Sequence, residues 1–186
     1  VRWRGEPIAR AHERYGRDIR SIFETQMQRD YFPVPLDGLG ARIDFVTSAR
    51  DCMLSGDSRV CARKHNHPGD AYTYRLEGVG GRVVVFCTDV EHADGVDPGV
   101  VEMARGADLL IHDGQFTPEE LESHRGWGHS SWAQAVEVAE RAGVGRLVVT
   151  HHDPAHDDAF LHEVERQVRD RLPTAALARD GMELEL

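Results

Sequence analysis

Apolar residues along the chain fall into two patterns. The first is a set of short, Val- and Leu-rich blocks that each run into polar residues able to bind a metal or move a proton. They are Arg82-Val-Val-Val-Phe-Cys-Thr-Asp89, Leu109-Leu-Ile-His112-Asp113 and Val148-Val-Thr150-His151-His152-Asp153. Continuous apolar runs of this length read as strands buried on both faces. A carboxylate at the end of a buried strand is costly to desolvate unless its charge is compensated, and a metal ion compensates best. A turn or helix-cap role for Asp89 is the bland alternative, but three such strands delivering His or Asp to one edge point to a site.

The second pattern has helical spacing. Ile8, Ala11, Tyr15, Ile19, Ile22, Phe23 and Met27 predict a helix from Pro7 to about Tyr31, with Arg10, Arg14, Arg17 and Arg20 on a solvated face. The prolines and glycines of residues 32–40 exclude helix there. Short strands are expected over 41–47, 59–64 and 71–77, the last forming a hairpin through Gly78-Val-Gly-Gly81 with the Asp89 strand. Beyond it the pattern alternates. Asp97-Pro98 opens a helix that Gly106 can end, and Thr117-Pro-Glu-Glu120 and Ser131-Trp-Ala-Gln134 are capping boxes. Gly143 can close the second of these helices, 146–150 is a strand, 160–172 a helix, and 175–186 strand-like. Strands first, then strand–helix alternation, predict a layered mixed α/β domain spanning residues 1–186 as a single unit.

Composition narrows the class. No apolar run approaches a membrane span, and no signal-peptide pattern opens the chain. Three cysteines without a CxxC favour a reduced, cytoplasmic setting. A net charge of -10 argues against sequence-independent binding of long nucleic acid, though not against a small anion held through metal. The start at Val1, in helical sequence, reads as part of a longer protein.

Of the eleven histidines, nine lie between residues 65 and 156, at strand ends or in loops. Neutral imidazole together with carboxylate oxygen suits Zn²⁺, with Mn²⁺ or Fe²⁺ as alternatives. Taken alone, His65-Asn-His67 and His151-His152 are weak signals, since surface loops contain such pairs by chance.

In order, His67, Asp89, His112-Asp113, Gly128-His129-Ser130 and Thr150-His151 resemble the C-terminal half of the metallo-β-lactamase superfamily, in its ribonuclease Z and phosphodiesterase branch. His67 precedes Tyr74 of Thr-Tyr-Arg by seven residues, as a metal-binding His does in that branch. The resemblance covers roughly residues 41–155. It implies the C-terminal portion of an αββα sandwich and two divalent metal ions. Asp89 would bridge them, His67 and His151 would each complete one shell, and metal-bound hydroxide would attack phosphorus. His129 would protonate the leaving group, and Asp113 would orient a ligand histidine from behind. His151 rather than His152 is expected as the ligand, because adjacent strand residues face opposite sides and the family places it directly after Thr150. His65, His92, His152 and His156 are left to surface or supporting roles.

One departure stands out. The family's HxHxDH motif occurs nowhere in the chain. An upstream segment, another chain such as a homo-oligomer partner, or loss of the motif are the alternatives. The expected activity is a metal-dependent phosphodiesterase acting on a small phosphodiester or nucleotide. The long tRNA-binding arm implied for ribonuclease Z has no room at the short turn 78–81. Rival readings are a non-catalytic domain of the same fold that binds a partner or ligand, a thioester or lactam hydrolase, and a single structural metal held by His67, Asp89 and His151.

Overall fold

The structure, a computed structural model, describes residues 2–4, 19–40, 43–46, 52–55 and 57–186. It divides into two compact units, Val1–Met53 and Leu54–Leu186. In the first, strands β1 (Arg2–Arg4) and β2 (Asp44–Val46) pair in parallel. Helix α1 covers Ile19–Gln26, after which the backbone turns. Much of the helix expected from Pro7 lies outside the described residues. Arg20 fits the solvated face, pairing with Glu24 at 2.6 Å and Asp37 at 2.9 Å.

The second unit is built on a mixed sheet. Strands β4 (Ser58–His65), β5 (Ala71–Glu77), β6 (Val83–Cys87), β7 (Leu109–Asp113), β8 (Arg146–Thr150) and β9 (Ala175–Leu177) follow one another in space as in sequence, with β3 (Cys52–Ser55) beside β4. The pairs β4–β5 and β5–β6 are antiparallel, and the three pairs from β6 to β9 are parallel. The expected hairpin forms, with a 3-10 turn at Val79–Gly81.

The helices form where their end signals stand. Asp97 caps α2 (Pro98–Ala104) by accepting from the Gly99 amide at 2.6 Å. Thr117 and Ser131 make complete capping boxes for α3 (Pro118–Leu121) and α4 (Trp132–Ala142), and Gly143 closes α4 at φ 65°. Helix α5 runs over Asp158–Arg171. Val100, Val136, Val138, Val164 and Val168 from α2, α4 and α5 pack on Val85, Cys87, Leu110, Leu147 and Val149 of the sheet. Each fully buried side chain of this kind contributes about 1.5–3 kcal/mol.

Two expectations change. Strands β7 and β8 are buried on both faces, but β6 is not: Val85 and Cys87 are fully buried while Phe86 is 42% exposed. The helices press on one face of β6 only, and its other face stays open beside Leu76 of β5. The strand expected over 175–186 stops at Leu177, the last residue with a register partner on β8, and Gly181 at φ 76° turns the chain away. Of the cysteines, Cys61 is disulfide-bonded and Cys87 is a free, buried thiol. No helix among the described residues is long and apolar enough to cross a membrane.

Candidate active site

The parallel strands β6, β7 and β8 end side by side, and the chain that leaves each carries a candidate residue. Just past β6, Asp89 sits in the left-handed region at φ 57°; just past β8, His151 does the same at φ 65°. Non-glycine residues adopt such angles only when their surroundings hold them there, and sites are where this strain gathers. The surroundings of Asp89 are explicit. Its amide donates to Asp113 Oδ2 at 3.0 Å, and its carbonyl accepts from His65 Nε2 at 3.0 Å. His65 Nδ1 then accepts from the Thr73 hydroxyl at 2.8 Å, so the peptide is gripped from both sides.

The result places Asp89 Oδ1 between two imidazoles, 3.9 Å from His67 Nε2 and 3.8 Å from His151 Nε2. These distances exceed a hydrogen bond. They are a few tenths of an ångström wider than the roughly 3.3–3.6 Å between two ligands of one tetrahedral ion bound at 2.0–2.2 Å. His67, Asp89 and His151 do not close into one cluster. The donor groups lying within 4.8 Å of one another are His67, Asp89 and His129, and separately Asp113, His129 and His151. The donors are nitrogen and carboxylate oxygen, the set that suits zinc and its first-row neighbours.

His129 belongs to both groups. Its Nδ1 lies 2.8 Å from Asp113 Oδ2, leaving Nε2 free toward the cluster, and its ring stacks on His151 at 4.7 Å between centroids. That hydrogen bond raises the His129 pKa above the ordinary imidazole value, against the opposing effect of burial. Asp113 is fully buried and saturated. Oδ2 accepts from Asp89 and His129, while Oδ1 accepts from the amides of Gln115 and Ser130, both at 3.2 Å. Asp113 therefore orients His129 and the Asp89 backbone. Gly128, at φ 95°, lets the chain pass against His67; a Cβ there would stand 2.3 Å from His67 Cδ2.

His151 and His152 are separated by the turn at His151, not by strand alternation, since β8 ends at Thr150. His152 Nε2 donates to the Ala178 carbonyl at 3.2 Å, away from Asp89. His156 pairs with Glu120 at 2.9 Å. His92, left to a surface or supporting role, is instead in the interior beside His112. His92 and His112 are buried with their Nε2 atoms 3.4 Å apart. His112 Nδ1 donates to the Asp113 carbonyl and His92 Nδ1 accepts from the Asp97 amide, so His92 Nε2–H donates to His112. Burial first, then the neighbouring imidazole, pushes His92 down to about 3. Reasoning from sequence also missed His65 as the support of Asp89. The only local hint was its place at the end of a strand, across the β4–β5 turn from Thr73.

The family model described as a beta-lactamase superfamily domain matches residues 7–152. The chain belongs to the metallo-β-lactamase superfamily. Among curated members, ribonuclease Z of Gemmatimonas aurantiaca is 39% identical over 106 residues, covering 57% of this chain and 32% of that protein. The chain thus spans about a third of the length of the curated ribonucleases Z it matches. Two solved structures share the superfamily fold. The metallo-β-lactamase fold protein YhfI from Bacillus subtilis superposes with a TM-score of 0.63 at 20% identity, over 79% of this chain and 58% of its own. Human tRNase Z, short form, gives 0.60 at 19% identity, over 88% of this chain and 63% of its own. The superfamily implies a divalent metal, and the site faces the strand ends where the donors gather.

Proposed function

We propose that this chain supplies one half of a dinuclear metal centre in a phosphodiesterase of the metallo-β-lactamase superfamily. The observation that carries the reading is Asp89 Oδ1 standing between His67 Nε2 and His151 Nε2 at 3.9 and 3.8 Å. His67 with Asp89 would hold one ion, and His151 with Asp89 the other. Bound there, two divalent ions, zinc foremost, would supply Lewis acidity and an activated water for attack on phosphorus. His129 does the acid work: Asp113 fixes its Nδ1, and Nε2 is the proton donor to the departing alkoxide. The ribonuclease Z relatives support a phosphodiester substrate, and the net charge of -10 favours a nucleotide-sized one over a long RNA. The family match runs across both compact units, which supports one domain.

One rival is a domain of this fold that binds a partner or ligand without catalysis. Metal analysis and turnover on the whole protein separate the two. His67→Ala, Asp89→Ala and His151→Ala should each lose metal, and His152→Ala should keep it. Equal loss from His151→Ala and His152→Ala would sink the ligand assignment. His129→Ala should keep its metal, slow turnover of alkyl phosphodiesters and largely spare nitrophenyl ones, whose leaving groups need little protonation. Loss of metal from that variant would make His129 a ligand. A metal-loaded protein that turns over no phosphodiester supports the binding domain.

A further inference from the structure

Trp127 is 63% exposed and stands two residues before His129. Its backbone is tied on both sides. The Glu91 carboxylate accepts from the Gly126 amide at 2.7 Å and from the Gly128 amide at 2.8 Å, one oxygen to each. The Trp127 amide itself donates to the His124 carbonyl at 3.1 Å. Gly126 and Gly128 take φ of 87° and 95°, angles that let the chain fold around this one carboxylate.

The indole is braced as well. The His124 ring meets it edge-on at 4.7 Å and 82°, and that ring stacks on the buried Phe116 at 4.4 Å and 20°. His124 cannot swing away, because its Nδ1–H donates to the Glu120 carbonyl at 2.7 Å. Leaving a large aromatic face in water forgoes the stabilisation that burial gives. A floppy surface tryptophan would need no explanation. Here three amides tie the backbone around Trp127 and the His124 ring braces the indole edge-on, while the next residue, Gly128, packs against His67 of the donor cluster.

We propose that Trp127 is a stacking platform for the nucleobase of a nucleotide whose phosphate is held at the Asp89 cluster. The choice of ligand rests on the phosphodiesterase reading, since nucleobases are the planar groups biological phosphodiesters carry. Every base presents a π face, so the platform selects for a base without dictating which. Glu91 and His124 are positioning residues for it.

The test titrates the whole protein, in Mn²⁺, with AMP and with ribose 5-phosphate, which shares the pentose and phosphate but lacks the base. Binding is read by calorimetry and by indole fluorescence, with Trp127→Phe identifying the Trp127 signal. AMP should bind roughly tenfold more tightly, about 1.4 kcal/mol, and should quench Trp127. Trp127→Ala should lower AMP affinity to that of ribose 5-phosphate while leaving the latter unchanged, and Trp127→Phe should retain part of the preference. The side chain is exposed, so both variants should keep the wild-type melting temperature. Equal affinity for the two ligands in wild type, or a preference that survives Trp127→Ala, overturns the platform. Hydrolysis of bis(4-nitrophenyl) phosphate by the whole protein reports separately on the parent reading. Turnover without base preference leaves that reading standing and removes the platform; a Trp127-dependent preference without turnover does the reverse.

Discussion

Asp and Asn tolerate left-handed backbone angles better than other non-glycine residues, because their short polar side chains bond locally. Position 89 uses that tolerance: at φ 57° the carboxylate is turned between His67 and His151. Asp89→Asn keeps the conformational preference and removes the charge. It should change folding stability by less than about 0.5 kcal/mol and still abolish metal binding, measured by urea unfolding beside metal analysis. At His129 the relevant quantity is protonation. Asp113 raises its pKa, so the imidazolium contributes stability at pH below the unfolded value, and that contribution is lost as pH rises through the higher folded value. NMR titration of the metal-free protein should place the His129 midpoint above about 6.5, and Asp113→Asn should bring it down. Asp89, His129 and His151 could be singled out from sequence because each ends a strand or opens a helix. His65 could not be. Its burial and its bond to the Asp89 carbonyl depend on pairing across the β4–β5 turn and on a peptide more than twenty residues away.

Among the elements, those with local end signals were legible. The Asp97, Thr117 and Ser131 caps and the Gly143 stop each need only three or four neighbouring residues, and each forms as its motif dictates. What local sequence hides is which face of a strand finds a partner layer. The block Val83–Cys87 is apolar throughout, yet only Val85 and Cys87 meet the helices. The residues beyond Leu177 are as strand-like as those before it, but β8 offers them no further register. Burial of His65, His92 and His112 at the sheet also sets a pH window. Desolvation lowers all three, His92 to about 3, so the unfolded chain binds more protons than the native one between about 3 and 6.5. Stability should therefore fall steadily as pH drops below about 6.5. Urea midpoints measured across that range should decline, and more shallowly in His92→Asn, even though that variant is less stable at neutral pH.

For the molecule as a whole, the proposed assignment would give each ion Asp89 and one histidine from this chain, too few donors to fill a tetrahedral shell. The 186 residues alone should bind zinc weakly, show negligible hydrolysis and fail to hold two ions together. The open face of the β5–β6 hairpin, where Phe86 is 42% and Leu76 40% exposed, should also favour self-association. Sedimentation velocity and metal titration check both, and adding a segment that carries HxHxDH, in the same chain or separately, should raise metal affinity and activity. A monomeric, active 186-residue preparation with two tightly held ions would contradict this. The superfamily was legible because its motifs occur in order along the chain.

Asp113 joins parts of the chain that meet only in the native state: the Asp89 peptide after β6, Gln115 after β7, and His129 and Ser130 before α4. Its two oxygens have no water to fall back on, so releasing any one segment strands a buried charge for the others. The strand ends should thus let go together and not fray singly. In native-state hydrogen exchange the amides of Asp89 and Ser130, about forty residues apart, should open with one common free energy. That shared value should collapse toward local fluctuation in Asp113→Ala, leaving a folded sheet whose strand ends exchange independently of one another.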